Sequence, residues 1–249
     1  FQAEDGIRDN GAGLVGSEMC IRDRGRSVVN GAGRVALLWL VIALIYAAFF
    51  SWYTSFGGPL TDEEITHYLD KFQQRDPTPP PEALDMLRRF MEEDTGDDFV
   101  MLNVIDMYDT PLQIDGVEPG ESSDDVLGRY MTYMYPALFS RACHPVLVGE
   151  AANRAMDLMN AEGMEHWTRG AAMRYRSRRD MLEITTNSAF SGSHDFKIAA
   201  MRKTIAFPLD PWIQLGDPRL LLALLLGLIG CGLSWLTSTR GSVPGAVRK

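Results

Sequence analysis

Four histidines, one run of arginines and a single strand amide are the side chains in this sequence best suited to chemistry. His67, His144, His166 and His194 are spread along the chain. No two have the i, i+3 or i, i+4 spacing that sets a pair of metal ligands on one helix face. The sequence holds no His-Glu-x-x-His, no Cys-x-x-Cys, no Gly-x-Ser-x-Gly elbow and no phosphate-cradling glycine loop. Ser193 precedes His194, but adjacency in sequence does not make a triad. Arg174, Arg176, Arg178 and Arg179 form the one basic cluster in an acidic stretch. Strand alternation puts Arg174 and Arg176 on one face. There they could hold a carboxylate or phosphate by forked hydrogen bonds, or pair with acids such as Asp180 and Glu183; pairing is preferred. Asn103 is the polar residue in the middle of the apolar run FVMLNVIDM, and a buried amide needs a partner from a neighbour or a ligand. His144 heads another strand and could face a pocket. Asn103, His144, Trp167 and Arg174 are therefore the expected ligand-binding residues. No catalytic residue is assigned, and no metal or cofactor is predicted.

The elements that would position these side chains can be read from capping and periodicity. Thr61-Asp62-Glu63-Glu64 is a capping box followed by apolar residues at helical spacing, which predicts a helix over 62–74. A proline-rich stop at 76–81 and a second helix ending near Thr95-Gly96 follow, and residues 61–95 read as a helical stalk. Residues 99–107 are apolar on both faces and predict a strand buried on both sides. A polar loop runs to Glu121; its acids do not match a calcium loop. A capped helix begins at Ser122, with Leu127, Tyr130, Met131, Met134 and Leu138 as its apolar stripe. Strands are expected at 144–151, 167–176 and 203–209, with helices at 177–186 and 194–201. The order is strand, helix, strand, strand, helix, strand: an α+β, ferredoxin-like βαββαβ domain over residues 99–209.

Two uncharged apolar runs bracket this domain, at 35–53 (VALLWLVIALIYAAFFSWY) and 220–239 (LLLALLLGLIGCGLSWLTST). As helix each spans roughly 30 Å, the thickness of a bilayer's hydrocarbon core, so both are expected to be transmembrane helices. Arg26 and Arg34 precede the first; Arg240, Arg248 and Lys249 follow the second, and acids dominate the inner flanks. Basic flanks favour the cytoplasm, so both termini, including the tail at 240–249, are expected inside a bacterial inner membrane and the domain outside. A cleaved signal peptide is disfavoured because Phe49, Phe50, Trp52 and Tyr53 occupy the place of a small-residue cleavage site. Those aromatics, with Trp212 and Trp235, read as an interfacial belt. Gly227, Gly230, Gly232 and Ser234 give the second run a small-residue face suited to close helix packing, though glycine is also tolerated in such helices without that role. Between the runs, residues 54–219 carry 28 acids against 16 bases, a net of −12, which argues against nucleic acid as partner. Cys143 is the single cysteine there, so no disulfide forms within the domain.

Residues 99–208 resemble the small bacterial domains of unknown function in the dimeric α/β-barrel superfamily. The matching pieces are FVMLNVI, GRYMTYMYPAL, HPVLVGE, MRYRSRRDMLEI and HDFKIAAMRKTIAFP. The resemblance covers a little under half of the chain and implies two ferredoxin-like units pairing sheet to sheet as a homodimer. That superfamily includes cofactor-free monooxygenases and haem-degrading proteins, and His194 is the residue a haem reading would use. The segments at 2–9 and 17–24 resemble translated sequencing-adaptor sequence. With Phe1 in first place, residues 1–24 are expected to be artefactual or a disordered tail, and genuine sequence to begin near Gly25 or Arg26. The leading expectation is a two-span membrane protein whose extracytoplasmic domain serves ligand binding or assembly without a defined turnover. The alternatives are a cofactor-free monooxygenase-like enzyme and a non-catalytic scaffold. An enclosed pocket with convergent polar groups would favour the enzyme and a filled barrel the scaffold.

Overall fold

Capping and hydrophobic periodicity produce seven helices and four strands among the described residues of a computed structural model, which describes residues 13–75 and 77–240. In chain order they are α1 (Gly13–Tyr53), α2 (Asp62–Gln73), α3 (Pro81–Glu92), β1 (Phe99–Met107), α4 (Ser123–Phe139), β2 (His144–Glu150), β3 (Arg169–Tyr175), α5 (Arg178–Thr185), α6 (Ser188–Ala200), β4 (Met201–Leu209) and α7 (Pro218–Arg240). Of the segment expected to be artefactual or disordered, 13–24 form the first turns of α1, and 1–12 lie outside the described residues. So do Asp76 and residues 241–249.

The chain divides into two units: the terminal segments Phe1–Phe49 with Asp217–Lys249, and the central Phe50–Gly216. Gly31–Tyr53 of α1 and Pro218–Thr239 of α7 are each long and apolar enough to cross a membrane. Leu40, Leu44, Leu224 and Leu228 stand exposed on them. The small-residue face is used in part. A Cβ on Gly230 would sit 2.7 Å from the Trp39 ring and 2.9 Å from Ile42 Cδ1, so only glycine admits that approach. One turn on, the Trp39 indole donates to Ser234 Oγ at 3.2 Å. Gly227 and Gly232 face open space.

The central unit is built on a four-stranded sheet of order β2-β3-β1-β4, every neighbouring pair antiparallel. Helices pack on one face. Register fixes which residues see them: Phe99 pairs with Tyr175 and Asn103 with both Ala171 and Ala206, so the odd-numbered residues of β1 and β3 share the helix side. Phe99 stacks on Tyr175 at 5.3 Å and joins Val126, Tyr130 and Leu138 of α4 in the core. The opposite face carries Leu102 and Val104 with exposed Leu147, Ile205, Phe207 and Leu209. The first strand is buried at both ends but only half-buried through its middle.

Helices α2 and α3, expected as a stalk, pack into this core instead. Ile65, Tyr68, Leu69 and Met91 belong to the same buried cluster as Phe99. Both expected capping boxes form, Thr61 with Glu64 and Ser122 with Asp125. Gly96, at φ +84, holds the chain after α3 where a Cβ would meet the Gly58 backbone at 2.5 Å, which confines the position to glycine.

Candidate functional site

The arginine cluster is spent on structure. Arg174 is 1 % exposed; its Nε meets Asp98 Oδ2 at 2.7 Å, Nη1 donates to the Ala142 carbonyl at 2.8 Å and Nη2 to the Tyr53 carbonyl at 3.0 Å. Its guanidinium lies 3.7 Å from the Tyr53 ring centroid. Arg176 forks onto Asp180, the partner expected from sequence. Arg178 reaches Asp94 and the Phe90 carbonyl, and Arg179 forks onto Glu64 at 2.6 and 3.0 Å. The Arg179 hydrogen bonds hold the Glu64 carboxyl well below the usual range, at about 2. Three of the four thus fasten α5 and β3 to segments 53–98 rather than waiting for a ligand.

Between the helix-facing side of the sheet and helices α4 and α6 lies a cavity of about 600 Å³, within the range of small-molecule sites. Six of the thirteen methionines line it: Met101, Met131, Met134, Met173, Met181 and Met201. Methionine is unbranched and polarisable, so such a wall can reshape around an apolar guest. The polar lining is sparse. Asn103 projects from β1; its amide donates to the Met101 carbonyl at 3.1 Å and to the Ala171 carbonyl at 3.4 Å. From α6, His194 and Lys197, three apart, reach the same wall. The His194 ring lies 4.9 Å from that of Phe190, and its buried Nδ1 has no partner among the described residues. Burial, then the charges of Lys197 and Arg75, push the His194 pKa down, which keeps the imidazole neutral near pH 7. Burial also lowers the pKa of Lys197 and raises that of the Tyr130 phenol. Arg75, just past α2, stacks on Phe72 at 4.0 Å and donates to the Thr185 carbonyl. Arg169 pairs with Asp124 at 2.7 Å, and its buried Nε has no partner among the described residues.

The four residues expected to share one pocket do not. Asn103 lines the cavity; His144, Trp167 and Arg174 do not. Register explains the split: Arg174 pairs with Val100 and with His144, on the face opposite Asn103. There the Tyr53 hydroxyl meets His144 Nε2 at 2.6 Å beside Arg174. Trp167 lies just outside β3, donating to the Met164 carbonyl at 2.7 Å with Lys203 4.5 Å from its ring. Cys143 is fully buried and its thiol is pushed up to about 11, so it is no nucleophile at neutral pH. Sequence reasoning passed over Arg75, Arg169 and Lys197 as cavity residues. The i, i+3 pair His194/Lys197 was the available signal.

No protein-family model matches the chain, and no curated protein matches its sequence. Solved structures do. RPA0582, a protein of unknown function from Rhodopseudomonas palustris, is similar at 18% identity over 55% of this chain and 96% of its own, with TM-score 0.43. A dimeric protein of unknown function and ferredoxin-like fold from Bacteroides fragilis is similar at 11% identity over 46% and 96%, TM-score 0.28. SnoaB, a cofactor-independent oxygenase from Streptomyces nogalater, is similar at 7% identity over 49% and 99%, TM-score 0.29. At these scores the likenesses carry no functional argument, and the fold rests on the strand order and pairing above.

Proposed function

We propose that this chain is a two-span protein of a bacterial inner membrane that binds a small molecule in the cavity of an extracytoplasmic, ferredoxin-like βαββαβ unit. The observation that carries the binding role is the methionine-walled cavity of about 600 Å³ with a few polar groups converging on it. A filled unit would have favoured a scaffold. The membrane reading is supported by two exposed apolar helices, since a water-soluble protein does not display runs of this length. Arginine on the outer flanks supports the orientation. Trp212, fully exposed before α7, fits an interfacial anchor.

The outward sheet face supports a homodimer. Ile205, Phe207 and Leu209 of β4 and Leu147 of β2 leave an apolar surface that a second copy would cover sheet to sheet. With both ends of the unit returning to one membrane face, that pairing would form beside the bilayer. A second reading, cofactor-free oxygenation, is favoured by the same cavity, whose apolar wall with one amide (Asn103), three phenols (Tyr130, Tyr135 and Tyr175) and one neutral imidazole suits an aromatic substrate.

The test is purification of the full chain in lipid nanodiscs followed by native mass spectrometry. A retained small molecule, lost in Met134→Trp, is the expected result. Wild type that carries and takes up nothing, in a unit folded by near-ultraviolet dichroism, would sink the binding role. Consumption of oxygen with release of an oxidised ligand would instead establish the enzyme.

A further inference from the structure

The charge of the cavity wall runs against that of the unit around it. Residues 54–219 carry a net of −12, yet the lining holds Arg75, Arg169 and Lys197 against a single carboxylate, Asp124. Asp124 is already paired with Arg169. Lys197 has no carboxylate within ion-pair distance among the described residues; its Nζ lies 5.8 Å from the Tyr130 ring centroid. The guanidinium of Arg75 is held by a backbone carbonyl and by aromatic faces, at 4.0 Å from Phe72 and 5.9 Å from Phe190, and by no acid among the described residues. The Phe190 ring lies 4.9 Å from the His194 ring and 5.9 Å from the Arg75 guanidinium, and the Tyr130 ring 6.2 Å from His194 and 5.8 Å from Lys197 Nζ, so the three groups gather around these two rings. A partly buried ammonium with no carboxylate near it among the described residues is costly, and the fold keeps it there. Most of the rest of the wall is aliphatic, methionine or aromatic, with Asn103 and Thr185 as its further polar members.

Resting on the ligand-binding reading above, we infer that the cavity selects an anionic amphiphile, a molecule whose apolar body lies against the methionine wall and whose single carboxylate or phosphate group meets Lys197, Arg75 and His194. The anion supplies the counter-charge that Lys197 lacks and accepts from the guanidinium of Arg75. An apolar body of adjustable shape is what a methionine wall accommodates. Arg169 already has a carboxylate partner in Asp124, at 2.7 Å, and is not assigned the head group.

The experiment is isothermal titration calorimetry of the full chain in phosphatidylcholine nanodiscs, with empty nanodiscs subtracted. The probes are octanoate, octyl phosphate and 1-octanol. At least one anion is expected to bind ten times or more tighter than octanol, and the better of the two identifies the head group. Lys197→Met keeps the length of the side chain and removes its charge. It should bring the anion down to the affinity of octanol and leave octanol unchanged, while Lys197→Arg restores the preference. Arg75→Gln is the second charge removal and should cut anion binding without touching octanol. Equal binding of all three probes would overturn the charge selection and leave the pocket reading standing. No binding of any probe would defeat the pocket reading itself.

Discussion

Arg174→Met tests whether the buried arginine is a structural clamp or a ligand group. Methionine keeps most of the stem and removes the fork. The change takes from Asp98 a 2.7 Å ion-pair partner and strips two carbonyls, Ala142 and Tyr53, of donors at 2.8 and 3.0 Å. It also removes the cation from the Tyr53 ring face at 3.7 Å. Breaking a buried pair on one side costs about 3–5 kcal/mol. The ring contact, about 2 kcal/mol where desolvated, overlaps with that figure. Ala142, whose carbonyl accepts from the guanidinium, itself sits at φ +56, a conformation that costs a non-glycine residue roughly 1–2 kcal/mol and that this hydrogen bond helps to hold. A loss of about 4 kcal/mol is expected, a large part of the roughly 5–15 kcal/mol that stabilises a domain. With a urea slope of about 2 kcal/mol/M the midpoint falls by about 2 M. The assay is urea unfolding of the full chain in nanodiscs, followed by near-ultraviolet dichroism. A midpoint within 0.5 M (roughly 1 kcal/mol by that slope) of wild type, with small-molecule retention lost, would refute the clamp and return Arg174 to the ligand site.

Three further substitutions test the ion pairs and the helix packing. The Glu64 carboxyl is depressed from 4.5 to about 2 by Arg179, so its contribution is complete above pH 4.5 and is lost as pH falls through 2. Because the pair is partly solvated, Glu64→Gln should cost only about 1 kcal/mol at pH 7, and the gap to wild type should close in unfolding curves taken from pH 4.5 down to 2; a gap constant with pH would contradict it. Gly230→Leu forces a Cβ into the Trp39 ring and Ile42 and should destabilise the helix pair by about 1–3 kcal/mol, whereas Gly232→Leu, facing open space, should not. Thermal unfolding in nanodiscs separates the two, and equal effects would refute the close approach.

Local signals in the sequence were sufficient for the elements. The strand at 99–107 and the capping boxes at Thr61 and Ser122 follow from residues within four positions of one another, and they form as expected. Helix α6 begins at Ser188, six residues before its expected start, because the Asn187 cap sits in a run of small polar residues with no apolar period to mark it. The strand expected from Trp167 starts at Arg169; Thr168 still bonds to both neighbours, its amide donating to the Ile105 carbonyl and its own carbonyl accepting from the Ala151 amide, while its hydroxyl reaches the Ile105 carbonyl and the Met107 amide. The pocket was harder to read. Grouping Asn103 with Arg174 needed the cross-strand register, which hairpin and loop lengths set and composition does not. The arginines' partners were equally remote: Glu64 is 115 positions from Arg179 and Asp98 is 76 from Arg174. Charge counting showed that pairing was affordable in an acidic unit, but not with which acids.

The placement of those remote acids changes what the helices before β1 are for. A stalk would need only length. Instead Arg178 and Arg179 anchor the segment holding α2 and α3, through Asp94 and Glu64, and the same segment contributes Tyr68, Leu69 and Met91 to the core. Once held there, the end of α2 delivers Phe72 and Arg75 to the cavity wall. A unit made only of residues 99–209 would lack both, leaving the wall open beside Phe190 and Thr185 and the cation cluster one member short. The clamp and the cavity are therefore coupled through α2: loosening Glu64 from Arg179 should weaken anion binding as well as stability, although neither residue touches the cavity. That double effect, read by titrating octanoate into Glu64→Gln, would not arise from a stalk that merely spaces the unit from the bilayer.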